Sequence, residues 1–116
     1  MKQMLSSLDF ETNGQGFTDI TKDINLWIRN KKLKEGILLV FLKHTSCSLI
    51  INENADINVL KDLSNYMKAI VPEKKFYSID RSSNRIEYLH SEEGVDDMPA
   101  HIRTMLTSNN LSFSVV

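Results

Sequence analysis

Apolar residues return at intervals of three and four at Ile20, Ile24, Trp27 and Ile28, a spacing that puts them on one face of a helix. Asp19 or Thr21 can cap that helix. Gly36 then opens an unbroken run, Ile37 to Leu42. A run that short and that apolar predicts a strand buried on both faces. After a polar break, Ser48 to Ile51 is apolar again and is either the partner of that strand in a hairpin or its continuation past a bulge. Asp56 predicts an N-cap for a second helix, with Leu60, Leu63, Met67 and Ile70 at helical spacing and Pro72 closing it. Phe76 to Ile79 and Arg85 to Leu89 flank the polar stretch Asp80 to Asn84 and predict a hairpin. Pro99 suits the first turn of a third helix, with Ile102, Met105 and Leu106 on its apolar face, which ends before the strand Leu111 to Val116. Lys2 to Phe10 predicts a first strand, stopped by the turn-rich stretch Thr12 to Gly16. The order of elements is that of an α+β fold with three helices. Three short helices cover only one side of a sheet, so the pattern favours self-association.

Composition narrows the function without naming it. The chain has 116 residues, 41% hydrophobic and 25% charged, and no repeat or linker divides it, so residues 1–116 are expected to form a single domain. Fourteen Lys and Arg against fifteen Asp and Glu leave a net charge of −1, which argues against a nucleic-acid partner. The longest apolar run is too short for a bilayer, and the N-terminal residues lack a signal-peptide pattern. The expectation is therefore a cytoplasmic protein with no membrane partner. With one cysteine, Cys47, there is no intrachain disulfide and no cysteine-rich zinc site, and Cys47 reads as a packing residue. Any metal must rest on histidine, carboxylate and water.

All three histidines fall in or beside two polar motifs, HTSCSLIINENAD from His44 to Asp56 and HSEEGVDDMPAH from His90 to His101. His44 ends the apolar strand, and strand alternation puts it on one side with Ser46, Ser48 and Asn52 if no bulge intervenes. His101 falls in the first turn of the third helix. His90 stands at a strand end before an acidic turn. Each also has a structural reading, as a sheet-edge, half-buried boundary or solvated loop histidine respectively. Together with Glu53, Glu93 and Asp96 they suit zinc or another divalent cation. No His-x-x-x-His or similar short pair occurs, so the fold has to assemble any such ligand set. Glu53 leaves a strand close to a helix start, where a carboxylate can serve acid–base or metal-linked chemistry. Of the two aspartates before the third helix, Asp97 is assigned as its cap and Asp96 as a site candidate. Gly94 suits a left-handed or tight turn.

The motifs GFTDIT (residues 16 to 21), HTSCSL, INENAD and EGVDDMPAHI together closely resemble the YjbQ-like proteins, also called the secondary thiamine-phosphate synthase family. The resemblance runs from about Gly16 to the last residue. It implies a trimer of α+β sandwiches with mixed sheets. Family members usually continue with a further strand carrying glycine, threonine, tryptophan and glutamine, and its absence after Val116 leaves an expected open edge at Leu111 to Val116. The resemblance marks His44 as the family's characteristic histidine and Asn52, Glu53 and Asn54 as part of its active site. The activity implied is the joining of a pyrimidine pyrophosphate to a thiazole phosphate with loss of pyrophosphate.

The expected site thus has His44, Glu53, Asn54 and His101 as catalytic groups. Ser46, Asn52, Glu93 and Asp96 are expected to bind a small phosphorylated substrate. His44, His90 and His101 are expected to hold a divalent metal, zinc or magnesium. Helix N-termini, Lys43 and Arg103 are candidates for meeting phosphate charge. Two other readings stand beside this one, a metal-dependent hydrolase using Glu53 as base and a non-catalytic trimer that binds a small anionic metabolite.

Overall fold

The computed structural model describes residues 2–78 and 85–116. The elements are helix α1 (Thr21–Asn30), strand β1 (Gly36–Phe41), helix α2 (Ile57–Ile70), strands β2 (Lys75–Tyr77) and β3 (Arg85–Glu87), helix α3 (Asp97–Met105) and strand β4 (Asn110–Val115). This is the α+β architecture with three helices that the periodicities imply. The strand expected over Lys2 to Phe10 does not form; residues 2–20 contain neither helix nor strand. No partner strand is aligned with that segment among the described residues, and a strand without a ladder has nowhere to place its backbone bonds.

The strands fall into two antiparallel pairs, β1 with β4 and β2 with β3. The second pair is the expected hairpin; Ile79 and the stretch Asp80 to Asn84 lie outside the described residues. In the first pair, Leu38 stands opposite Phe113 and Val40 opposite Leu111, and these residues are half-buried. Ile37, Leu39 and Phe41 stand opposite Ser114, Ser112 and Asn110 and are exposed, Ile37 to 85%. The expectation that Ile37 to Leu42 is buried on both faces is therefore corrected. Period-two alternation gives each residue the face of its cross-strand partner, and β4 supplies serine and asparagine to the outer one. Ser48 to Ile51 is neither a hairpin strand nor a continuation of β1. It makes an isolated bridge, Leu49 to Ser108, just ahead of β4, and among the described residues Leu49 and Val71 are the buried hydrophobic ones.

Helix ends follow their local chemistry. Asp56 caps α2 as expected, with Oδ1 accepting from the N–H of Asn58 at 2.8 Å. At α1 the residue in the cap position is Ile20, and Asp19 does the capping work from one residue earlier by accepting from the N–H of Thr21 at 2.9 Å. The same helix ends with Lys32 at φ 53°, with Leu33 N–H donating to Ile28 O and Lys32 N–H to Arg29 O. That pair of bonds is a Schellman ending, built here on lysine where glycine is usual.

Two side chains fix α3 and the end of β3 to the corner after α2. Arg103 donates from Nη2 to Val71 O at 2.8 Å, and Tyr88 donates from its hydroxyl to Pro72 O at 2.9 Å. Burial raises the pKa of the Tyr88 phenol, opposed by the nearby Arg103 charge. The Cα radius of gyration is 17.7 Å, against about 13 Å for a compact domain of this length.

Candidate functional site

The His90 to His101 motif closes on itself. Asp97 is the first residue of α3, and His101 follows four residues later on the same helical face. His90 reaches them from the segment after β3. Nε2 of His90 donates to Oδ2 of Asp97 at 2.7 Å, and Nε2 of His101 lies 3.5 Å from the same oxygen. The two imidazole rings are 5.6 Å apart at their centroids. One donor atom from each of His90, Asp97 and His101 lies within 4.8 Å of the others. Side-chain exposure falls from 46% at His90 to 36% at His101 and 19% at Asp97, so the carboxylate forms the floor and the rings form the rim.

This arrangement corrects two helix assignments. Asp96 holds the cap position of α3 without a side-chain cap bond, and Asp97 is in the first turn, turned to the histidines. His101 belongs to the second turn, since the helix begins two residues before Pro99. The legible signal for it is the Asp-x-x-x-His pair of Asp97 and His101, the short spacing that a helix turns into a common face. Gly94 has φ 135°, where a side chain would be strained, and a Cβ there would also meet Oδ1 of Asp96 at 2.9 Å. Glycine thus shapes the turn that returns the chain from His90 to Asp97.

His44 lies elsewhere in the same neighbourhood. Leu42 N–H donates to Asn109 O and Leu49 N–H to Ser108 O, which draws the segment after β1 against the end of α3. An open cleft of about 470 Å³ results, bounded by His44, Thr45, His101, Thr104, Met105 and Asn109 among others. His44 and His101 therefore share a cleft, while His44 stands outside the group of three donors. Its Nδ1 accepts from the backbone N–H of Ser46 at 3.1 Å, with Ser46 Oγ at 2.9 Å. A second cleft of about 200 Å³ has His90, Gly94, Lys74 and Lys75 on its walls.

The remaining expected residues lie away from these three donors. Asn52 Oδ1 accepts from Glu53 N–H at 2.7 Å, and Asn54 Nδ2 donates to Asp19 Oδ2 at 2.7 Å. Hydrogen bonds from Thr21, with help from Asn54, hold the Asp19 carboxyl below its ordinary pKa. Glu53 is exposed and borders neither cleft, and the exposed Glu93 and Asp96 stand outside the three-donor group. Arg103 is engaged with Val71 O, so its guanidinium serves the fold.

Two imidazoles and a carboxylate, on a helix and the segment before it, stand close enough together that they could hold a metal ion. Residues 6–116 also match the family model described as UPF0047 protein YjbQ-like. The chain belongs to the YjbQ-like family. Among relatives in that family, UPF0047 protein sll1880 of Synechocystis is 37% identical over 115 residues, which covers 99% of this chain and 71% of the relative. UPF0047 protein YjbQ of Escherichia coli O157:H7 is 31% identical over 110 residues, 94% of this chain and 72% of the relative. The crystal structure of an uncharacterised conserved YjbQ/UPF0047 protein from Clostridium acetobutylicum superposes with a TM-score of 0.69 at 23% identity, over 93% of this chain and 72% of that one. The YjbQ-like fold is thus shared, and the match begins ten residues before the first recognisable motif at Gly16. Among the described residues no helix is long and apolar enough to cross a membrane.

Proposed function

We propose that this YjbQ-like chain is a cytoplasmic enzyme acting on small phosphorylated molecules at a divalent-metal centre formed by His90, Asp97 and His101. The observation that carries the reading is the gathering of three donor atoms within 4.8 Å beside a cleft large enough for a small metabolite. Imidazole ligands favour zinc over magnesium, which prefers oxygen donors and retained water. Three protein ligands with open positions are the pattern of a catalytic rather than a structural zinc site. A bound cation would supply Lewis-acid stabilisation of charge on a phosphate group.

The chain's own residues have definable parts. Asp97 orients both rings through one oxygen, and a cation can bind only neutral rings that turn a lone pair to it, so affinity should fall as pH falls. His101, shared between the donors and the cleft, ties the centre to the bound molecule. In the reading that the family resemblance supports, the reaction is thiamine-phosphate synthesis. Glu53 and Asn54 as catalytic groups, and Ser46, Asn52, Glu93 and Asp96 as substrate contacts, rest on that resemblance. A homotrimer is the assembly we infer, favoured by the exposed apolar row Ile37, Leu39 and Phe41.

One assay separates the possibilities. Zinc-loaded protein is given a pyrimidine pyrophosphate with and without a thiazole phosphate, and released pyrophosphate is measured. Release that needs both substrates and is lost in His101→Ala supports the transferase. Phosphate or pyrophosphate release without the second substrate supports a hydrolase. Binding without turnover supports a metabolite-binding module and overturns the enzyme reading.

A further inference from the structure

His44 shares the cleft with His101, yet its hydrogen bonding gives it a different task. The backbone N–H of Ser46 can only donate, and it donates to Nδ1 of His44 at 3.1 Å. Nδ1 must therefore present its lone pair, and a neutral ring then carries its proton on Nε2. A ring in the other tautomer would set N–H against N–H. Metal-binding histidines show the reverse polarity: the far nitrogen donates to a carbonyl or carboxylate, and the near one gives its lone pair to the cation. At His44 the Nδ1 faces no carbonyl or carboxylate but the Ser46 N–H and, at 2.9 Å, the Ser46 hydroxyl, which can turn its own proton to the same lone pair, and the residue does not join the three-donor group.

The other walls of the cleft make a donor useful there. Thr104 donates its hydroxyl proton to Ala100 O, Thr107 to Arg103 O, and Ser108 to Asn110 O. Those hydroxyls have committed their protons to the backbone and can offer a ligand only acceptor oxygens. A bound molecule with an acceptor oxygen needs a donor from another of the lining residues, and His44 is one of them.

We infer that His44 is held by the Ser46 backbone as the Nε2–H tautomer and donates a hydrogen bond to an acceptor oxygen of the bound ligand, outside the metal ligand set. The identity of that oxygen as a phosphate oxygen rests on the function proposed above; the tautomer does not. Ser46 is then a positioning residue and His44 the group in contact with the ligand.

Nitrogen-15 NMR of the histidine side chains at neutral pH tests the tautomer directly. The expected result is an unprotonated Nδ1 and a protonated Nε2 at His44; a dominant Nδ1–H form overturns the donor role. Titration with zinc alone should shift His90 and His101 at one equivalent and leave the His44 nitrogens in place; a comparable shift at His44 overturns its exclusion from the metal set. Inorganic pyrophosphate is the ligand probe. His44→Ala should weaken its binding about fivefold, the scale of one hydrogen bond, and His44→Gln, whose amide can place an N–H near the Nε2 position, should restore most of the loss. Equal binding by wild type and His44→Ala, or no pyrophosphate binding by the wild type, overturns the phosphate assignment, whereas a wild type that binds pyrophosphate but no zinc overturns only the metal centre.

Discussion

The two polar motifs are alike in composition and differ in where their hydrogen bonds go. Between His44 and Asp56 the polar side chains mostly meet nearby backbone: Ser46 N–H donates to His44, Glu53 N–H to Asn52, and Asn58 N–H to Asp56, with the Ser46 hydroxyl beside His44 and Asn54, which reaches Asp19, as the exceptions. Between His90 and His101 side chains bond to side chains, with two rings gathered on one carboxylate oxygen. Asparagine, aspartate and serine have a strong appetite for local backbone, which a sequence motif conceals. Histidine and a helical aspartate four residues away have less of it. The first motif spends most of its polar groups locally, and the second gathers its side chains at one point.

The strongest challenge to that contrast is Asp97→Asn. It removes the shared anion while keeping the shape, and should lower zinc affinity by about 100-fold or more, since even groups behind a ligand are worth 10–100-fold. Competition with a chromophoric chelator measures it. Unchanged affinity would place the second motif with the first. Next in size, Asp56→Ala should destabilise the protein by about 1 kcal/mol through loss of the α2 cap, with zinc affinity unaltered. A fall in melting temperature of about 4 °C is expected. A change in zinc affinity would mean that the two motifs are coupled.

The acid limb gives a smaller effect. The Asp19 carboxyl has a folded pKa below its ordinary value of 3.8. Its contribution is present above that value and is lost as pH falls through the folded pKa, because the unfolded chain takes up the proton first. Denaturant melts from pH 5 to pH 2 should therefore fall less steeply for Asp19→Asn than for wild type. Parallel curves would show that the carboxylate is not engaged in solution. Smallest of all, Glu53→Gln should leave zinc affinity within about twofold, because the side chain lies outside the donor group. A larger drop would bring Glu53 into the centre and blur the comparison.

The sequence made the helices legible because three-and-four spacing, Asp56 and Pro72 all act within a few residues. It also exposed the hairpin of β2 and β3. The outer face of β1 is not legible in the sequence because burial of a strand depends on its partner, and the serines at 112 and 114 speak for a face only once the register is known. Likewise, all three histidines were visible as candidates, but their separation into two jobs depends on atoms. Nothing in the string HTS says that Ser46 turns its N–H onto His44. Asp97 was hidden by a sound rule, since aspartate before a helix is usually its cap; here the helix starts one residue early and frees it.

Because His90 precedes the Gly94 turn while Asp97 and His101 follow it, the three donors span a loop on the way into α3. A cation held there would act as a reversible staple across that loop, and its binding energy would be added to the folding energy of this part of the chain. At a free zinc concentration 100 times the dissociation constant, that linkage amounts to about 2.7 kcal/mol. For a chain with only Leu49 and Val71 as buried hydrophobic residues among those described, zinc supply would set the thermal tolerance of the last third of the molecule.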